Sequence, residues 1–128
     1  MSFVLINKKA KREYEILDTY VAGIVLSGPE VKSLRLGRAN IGDAYADPRE
    51  GEIWLINCHI SEYFNAQKEF QFSPTRPRKL LLHKKEIRKL QGSVQKQGLT
   101  LIVLKIFFNN KGIAKIDLGL GRGKKDRD

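Results

Sequence analysis

The sequence predicts a mainly β protein with peripheral helices (α+β), folded as a small closed or partly open antiparallel barrel. Candidate strands outnumber the two or three candidate helices, and most strands are joined by short turns. Residues 99–108 are apolar on both faces of an extended chain, which is typical of a central strand buried on two sides. The 128 residues suit a single domain that buries roughly two-thirds of its unfolded-chain surface. A flat open sheet with helices on one face is the alternative.

The chain opens with a basic arm over residues 1–13, which leads into a predicted strand over residues 14–26. Aromatic and β-branched residues dominate that strand. Gly23 lies inside it, and an interior glycine predicts a bend or bulge, as in strands that turn a barrel corner.

Residues 27–37 predict a short helix. Ser27 and Glu30 have the spacing of a capping box, in which each satisfies a backbone N–H of the other. Pro29 suits the first helical turn, and Gly37 suits the C-terminal stop.

Two strands are predicted next, over residues 44–47 and 52–60, with a turn between them. Side chains alternate between the two faces of a regular strand. In the second strand, one face would carry Ile53, Leu55, Asn57 and His59, and the other Trp54, Ile56, Cys58 and Ile60. Residues 61–77 have no regular period and predict a long ordered loop.

A second helix is predicted over residues 84–97, with Gly98 as its stop. Its buried stripe would consist of Ile87, Leu90 and Val94, which repeat at helical spacing. The last two strands, over residues 99–108 and 113–120, form a hairpin across a turn rich in Asn and Gly.

Charge is unevenly distributed along the chain. Residues 1–75 hold nine Lys/Arg and ten Asp/Glu, whereas residues 76–128 hold fifteen Lys/Arg and four Asp/Glu, so the nets are −1 and +11. A half that basic attracts polyanions at long range and in a salt-dependent manner, which makes nucleic acid the expected partner. A basic surface kept for solubility is the alternative. The oligonucleotide-binding barrel is the commonest small β architecture that also binds RNA.

The signals for catalysis and metal binding are weak. His59 and His83, the two histidines, lie 24 residues apart with no Cys or acidic residue at zinc-ligand spacing. Cys58 precedes His59, but adjacent strand residues point to opposite faces and cannot pair as nucleophile and base, so Cys58 is expected in the core. The sequence therefore predicts no enzyme, cofactor or metal site. A single cysteine and no membrane-length apolar run predict a cytoplasmic protein without a membrane partner.

The glycine-rich residues 119–125 do not match a phosphate-binding loop. That motif requires a glycine at the position of Leu118 and a hydroxyl residue at the position of Lys125. The segment predicts instead a flexible basic strap over residues 121–128, whose glycines let the backbone approach phosphates.

Two residues have competing explanations. Glu30 is fully explained as a capping-box residue worth up to about 1 kcal/mol, yet it could also accept hydrogen bonds from base amino groups or hold Lys32 or Arg35 in place. His83 is either the entry cap of the second helix or an RNA contact. The basic outer side of that helix is either solvated or in contact with phosphate.

Six segments carry a further signal in their order along the chain. They are Asn7 with Ala10 and Tyr14; Gly23-Ile24-Val25-Leu26; Gly28-Pro29-Glu30-Val31-Lys32-Ser33-Leu34-Arg35; Arg78-Lys79-Leu80-Leu81-Leu82-His83-Lys84; Lys96-Gln97-Gly98-Leu99-Thr100-Leu101; and Gly123-Lys124-Lys125. Together they resemble small protein B, the family of SsrA-binding proteins of bacterial trans-translation.

The resemblance implies an oligonucleotide-binding-type barrel with about three helices, which binds the tRNA-like domain of transfer-messenger RNA and accompanies it into stalled ribosomes. There the pair releases the ribosome and tags the unfinished peptide. It further implies that the region from Glu30 to Arg35 and neighbouring basic residues contact the elbow of the tRNA-like domain. Charge and resemblance together predict RNA contacts at Asn7, Lys8, Lys9, Arg12, Glu30, Lys32, Ser33, Arg35, Arg76, Arg78, Lys79, His83, Lys84, Lys85, Arg122, Lys124 and Lys125. The expected protein is a monomer. Another ribosome-associated barrel that binds structured RNA, or an RNA-modifying enzyme, would be the alternatives.

The chain departs from the family pattern in three places. Pro29 stands where Thr or Ser is usual, and Gly121 stands where alanine is usual. The family continues past Gly-Lys-Lys with a long basic tail that folds in the ribosomal mRNA path, whereas residues 126–128 alone follow here. The sequence is then either truncated or naturally short.

Overall fold

A computed structural model describes residues 4–124, with the backbone alone for Phe70. In chain order its elements are β1 (Val4–Ile6), α1 (Ala10–Glu13), β2 (Tyr14–Ile24), α2 (Gly28–Arg35), β3 (Ala39–Asn40), β4 (Tyr45–Arg49), β5 (Glu52–Ile56), β6 (His59–Ile60), β7 (Arg78–Leu81), α3 (Lys84–Gln95), β8 (Thr100–Phe108) and β9 (Ala114–Gly123). A 3₁₀ turn covers Lys68–Phe70.

Six strands close into a ring of antiparallel pairings. Their order is β8, β4, β5, β7, β2 and β9, and β9 then pairs again with β8. β1 adds to β8, and β3 pairs with β6 in a separate two-stranded sheet. This closure confirms the predicted mainly antiparallel β architecture with about three helices, and it rules out the flat open sheet.

The core lies between the ring strands and the helices that pack on them. The Val, Leu and Ile side chains of the ring strands that are at most 1% exposed are Ile53, Leu55, Leu80, Leu101, Val103, Ile106, Ile116 and Leu118. Leu34 of α2 and Leu90 of α3 join the same cluster and are fully buried. Burying each such side chain contributes about 1.5–3 kcal/mol, so the ring and both longer helices depend on one shared core.

The bulge in β2 does not lie where the sequence predicted it. The register between β2 and β9 shifts between Ile16 and Asp18, not at Gly23. Gly23 instead pairs on both sides, with Leu81 of β7 and Lys115 of β9. A Cβ at Gly23 would lie 3.3 Å from the Leu81 Cβ, so the glycine allows β7 to approach closely.

The prediction of α2 is confirmed. Ser27 Oγ accepts the Glu30 N–H at 3.3 Å, and a Glu30 carboxylate oxygen accepts the Ser27 N–H at 2.8 Å. The helix ends as predicted at Gly37, whose φ of 74° closes a Schellman-type turn. In that turn Arg38 N–H donates to Ser33 O at 3.0 Å, which fixes the direction of the chain beyond the helix.

The single strand predicted over residues 52–60 is wrong. Asn57 adopts a left-handed φ of 57°, which ends β5 and turns the chain into β6. The facing pattern therefore reverses at this point. Cys58 and Ile60 are buried together with Ile53 and Leu55, although the regular alternation placed the two pairs on opposite faces. The predicted loop that follows contains the 3₁₀ turn as its one regular element within residues 61–77.

The two ends of the described chain are more regular than predicted. Residues 4–13 are not a simple arm, because β1 pairs with β8 and α1 buries Ala10. Residues 121–123 are not a flexible strap, because they continue β9 and pair with Tyr14, Glu15 and Ile16 of β2. Lys124 is the last described residue, and residues 125–128 of the predicted strap, including Lys125, lie outside the described residues.

The prediction of α3 is confirmed with two differences. The helix ends at Gln95 and not at Gln97, and its third buried residue is Ser93 and not Val94. Its stop at Gly98 has a φ of 69°. Ile87, Leu90 and Ser93 are buried, whereas Val94 is half-buried. Ser93 also accepts the Leu99 N–H on its carbonyl at 3.1 Å, which ties the helix to the start of β8.

Candidate nucleic-acid interface

A buried ion cluster joins the start of α2 to the start of β7. The carboxylate of Glu30 accepts Arg76 Nη2 at 2.5 Å, Arg76 Nε at 3.0 Å and Arg78 Nε at 2.6 Å. Arg78 donates further to Cys58 O at 2.7 Å and to Pro74 O at 3.0 Å. Glu30 and Arg78 are both 0% exposed, whereas the Arg76 side chain is 35% exposed. The capping position thus also anchors two arginines.

The charge state of Glu30 follows from this geometry. Burial by itself raises the pKa of a carboxyl group, but hydrogen bonds from Arg76, the Ser27 N–H and Arg78 outweigh it. They hold the pKa of Glu30 below its ordinary value, so the group is ionised near neutral pH. One carboxylate faces two guanidinium groups, and Arg76 brings positive charge to the surface.

Glu30 therefore holds Arg76 and Arg78, not Lys32 or Arg35 as the sequence suggested. Its oxygens are occupied and buried, so in this conformation it acts on any ligand through the arginines. Ser33, another predicted contact, is also fully buried, and its Oγ has no hydrogen-bond partner within residues 4–124.

The exposed side of α2 carries the predicted cations. Lys32 and Arg35 both reach solvent. Arg35 Nη2 donates to Gly112 O at 2.9 Å, and its guanidinium carbon lies 4.4 Å from the centre of the Phe108 ring. This contact joins α2 to the turn between β8 and β9 and fixes the position of the Arg35 charge.

The same surface includes three residues beside α2 that the sequence did not predict: Arg38, Tyr63 and Phe64. Arg38 lies 5.7 Å from the Phe64 ring centre, and Lys32 lies 5.6 Å from the Tyr63 ring centre. The sequence places Arg38 beyond the helix stop and the aromatic pair in a loop without periodicity. An aromatic pair inside an otherwise polar loop was the available signal.

A second basic cluster lies where the two ends of the described chain meet. Lys8 and Arg12 are exposed, and Lys9 Nζ lies 3.5 Å from Asp43. Asn7 donates from Nδ2 to Val103 O at 3.0 Å, and its Oδ1 is buried with no partner among the described residues. Lys124 Nζ donates to Lys11 O at 2.9 Å, which brings the end of β9 against α1.

A groove of about 350 Å³ runs along this second cluster. It is lined by Lys8, Lys9 and Arg12 on one side and by Asn40 of β3 on the other. Arg122, at the end of β9, is exposed and pairs with Glu15 at 3.3 Å. An ion pair this exposed is weak, so the guanidinium can exchange Glu15 for a phosphate at little cost.

The remaining predicted cations lie around β7 and the start of α3. His83 is the N-cap residue, and its N–H donates to the Glu86 carboxylate at 3.1 Å, which supports the capping explanation. Lys84 and Lys85 follow it and are exposed. Lys79 Nζ pairs with Glu52 at 3.4 Å.

An exposed apolar patch beside these cations was also missed. Val21 is 59% exposed, Val25 45% and Leu81 52%. They surround the doubly paired Gly23, and Lys115 is paired directly with that glycine. The alternation of side chains along the strand could have predicted that Val21 and Val25 are exposed, because both lie on the face opposite the buried Ala22. An apolar patch bordered by lysine suits a partner with both sugar or base surface and phosphate.

The described residues offer little for covalent chemistry. Burial raises the pKa of the Cys58 thiol to about 11, although Arg78 opposes the shift, so the nucleophilic thiolate is scarce near neutral pH. Among residues 4–124, no group of three or more His, Cys, Asp or Glu could hold a metal ion. None of the helices in that range is long and apolar enough to cross a membrane.

Comparisons with known proteins agree with this arrangement. A family model described as SmpB protein matches residues 4–128. An SsrA-binding protein of Rhodopseudomonas palustris (strain BisB18) is 53% identical over 122 residues, which cover 95% of this chain and 77% of that protein. An SsrA-binding protein of Sinorhizobium fredii (strain NBRC 101917 / NGR234) is 55% identical and is covered to 76% of its length.

A solved structure gives the same result. A chain in the structure described as "tmRNA-SmpB: a journey to the center of the bacterial ribosome" matches with a TM-score of 0.77 and 51% sequence identity. The match covers 95% of this chain and 85% of that chain.

Proposed function

The chain belongs to the SmpB protein family, and on this premise we propose that it binds the tRNA-like domain of transfer-messenger RNA and brings it to stalled ribosomes. There the RNA–protein pair releases the ribosome and adds a degradation tag to the unfinished peptide. The observation that carries the proposal is the similarity to SsrA-binding proteins over 95% of the chain at 53–55% identity.

The geometry supplies a physical reason for RNA binding. Exposed cations on α2, at the start of α3 and around the groove beside α1 can fix the protein on phosphates. The buried Glu30 cluster holds α2 and β7 in one arrangement, which keeps the partly exposed Arg76 and Lys32 in register. Glu30 is therefore a positioning residue in this proposal, not a direct RNA contact.

The proposed role is that of a binding protein and not of an enzyme. Positioning on phosphates and base surfaces requires no cofactor, and the buried Cys58 has the wrong pKa for a nucleophile. The place of action would be the cytoplasm, where stalled ribosomes are found, and the acting unit a monomer of one domain.

The test combines RNA identification with a salt titration. RNA that co-purifies with the protein from cells is sequenced, and a long RNA with a tRNA-like domain is expected. Enrichment of ribosomal RNA alone would instead favour another ribosome-associated RNA-binding protein, and turnover of a modified base would favour an enzyme.

Affinity for the isolated tRNA-like domain is then measured against salt. The Lys84→Gln, Lys85→Gln double variant should bind more weakly, and its log–log salt slope should be shallower by about 1–2 units, or about one per lost phosphate contact. Lys96→Gln, at the exposed far end of the same helix, is the matched control and should leave the slope unchanged. Equal slopes for all proteins would remove α3 from the RNA footprint.

A further inference from the structure

The loop beside α2 exposes an aromatic pair that packing does not explain. Phe64 is 66% exposed, the largest exposure among the large apolar side chains that the structure describes. Its ring centre lies 5.4 Å from that of Tyr63 at an interplanar angle of 47°, so the two rings are tilted and not stacked. One face of Phe64 is approached by Arg38, which leaves the ring largely open to solvent.

The pair is nevertheless held in place. Gln71 donates from Nε2 to Tyr63 O at 2.6 Å and to Ala66 O at 3.2 Å, and its Oε1 accepts the Tyr63 N–H at 3.2 Å. One side chain thus makes three hydrogen bonds to the backbone that carries the rings. A braced loop presents Phe64 in a set position, which lowers the entropy cost of any contact it makes.

Positive charge surrounds the rings on the helix side. Lys32, Arg35 and Arg38 follow one another at intervals of three residues, and all three reach solvent. The backbone of Arg38 is fixed by bonds to Ser33 O and from Ser61 N–H, at 3.0 and 2.9 Å. Glu62 and Glu69 are the exposed acidic residues of the loop, against the three cations above and the exposed Lys68, so the local balance stays positive.

We propose that Phe64 is a stacking platform for one unpaired base of the bound RNA, with the Arg38 guanidinium beside it and Lys32 on the adjoining phosphate. The inference rests on the proposed function and adds an RNA contact in the loop beside α2. A nucleotide joins an aromatic face to a negative phosphate. This surface offers an open ring with Arg38 against it and Lys32 against the neighbouring Tyr63 ring. An acidic protein partner would also suit the cations, but it gives no reason for an open, braced ring.

The test compares Phe64→Ala with Leu17→Ala, an exposed apolar residue on the bulge of β2. The probes are the tRNA-like domain of transfer-messenger RNA and a fully paired RNA hairpin of equal length. Phe64→Ala should lower affinity for the tRNA-like domain roughly 5- to 100-fold, the range that loss of one base stack produces, with an unchanged salt slope. Affinity for the paired hairpin should stay the same, as should both affinities of Leu17→Ala.

A spectroscopic variant separates stacking from indirect effects. In a Trp54→Phe background, Phe64→Trp places the single indole of the chain at the platform and should restore tight binding. Its fluorescence should be quenched by the tRNA-like domain and not by the paired hairpin. Lys32→Gln should weaken binding and make the salt slope shallower by about one unit, because the proposal places a phosphate against Lys32. An unchanged slope would contradict that contact.

The outcomes discriminate between the two proposals. If the unmodified protein does not bind the tRNA-like domain, the proposed function fails and this inference fails with it. If it binds and Phe64→Ala binds equally well, the stacking platform alone is refuted. The platform is equally refuted if Phe64→Ala keeps its RNA affinity and loses ribosome binding, because the ring would then contact another surface.

Discussion

Replacing Glu30 by glutamine tests whether the buried ion cluster or the helix cap dominates its contribution to stability. Glutamine keeps an oxygen that can accept the Ser27 N–H, so most of the cap survives. It removes the charge that compensates Arg78, which is 0% exposed and cannot turn to solvent. Leaving a buried charge without its partner costs about 3–5 kcal/mol, against about 1 kcal/mol for loss of a cap.

The expected loss is large for a protein of this size. Domains are stable by about 5–15 kcal/mol, so Glu30→Gln should remain folded at room temperature but lose a substantial share of its stability. At roughly 3–5 °C per kcal/mol, a loss of about 3–5 kcal/mol should lower the melting temperature by roughly 9–25 °C. Urea unfolding followed by circular dichroism measures the free-energy change directly.

Glu86→Gln is the matched control. Glu86 occupies the same capping position in α3 and accepts the His83 N–H, but it forms no ion pair within the described range. Its replacement should cost about 1 kcal/mol or less. Equal losses for the two variants would refute the buried-charge argument and reduce Glu30 to a capping residue.

The pH dependence of stability gives an independent check. The folded-state pKa of Glu30 is lower than its unfolded value, because the hydrogen bonds outweigh burial. Its stabilisation is therefore present above the unfolded pKa, near 4.3, and is lost as pH falls through the lower folded pKa. The unmodified protein should lose stability below about pH 4.3 more steeply than Glu30→Gln. Parallel acid profiles would contradict the lowered pKa.

Three further predictions concern single positions. Cys58, with a pKa of about 11, should resist iodoacetamide at about pH 8 while the protein is folded and react once urea unfolds it; rapid labelling of the native protein would show that the thiol is accessible. Gly92→Ala should stabilise the protein by about 0.5–1 kcal/mol, since a Cβ there meets no atom within 4 Å and alanine favours the helix. Gly98→Ala should destabilise the protein by about 1 kcal/mol or more, because alanine is strained at a φ of 69°. Thermal melting measures both variants. A higher melting temperature for Gly98→Ala as well as for Gly92→Ala would show that the backbone relaxes freely at the helix stop.

Local signals predicted the two longer helices, α2 and α3, well because their boundaries are chemical, whereas the short α1 was missed. Ser27, Glu30 and Gly37 define α2 through hydrogen bonds within a few residues, and Gly98 ends α3 in the same way. The strand ends were harder. Asn57 causes the break between β5 and β6, and its left-handed backbone is one option for asparagine among several until the core fixes it.

The candidate site was predictable in part. The basic residues were found from charge, but their grouping depends on contacts across the fold. Glu30 and Arg78 lie 48 residues apart, and nothing in local spacing reveals that they share a buried hydrogen bond. Short-range periodicity likewise could not show that β1 pairs with β8, or that Arg38 lies beside Phe64.

Ring closure has a consequence for how the protein is made. β2 must pair with β9, so the ring joins strands from nearly opposite ends of the described chain. During synthesis the ring cannot close until residues 114–123 have left the ribosome, and until then β2 and β8 each lack a neighbour. Unpaired strand edges promote aggregation, and pairing between distant segments is slow to form. A nascent chain halted after β8 and before β9 would expose both open edges and have no finished core.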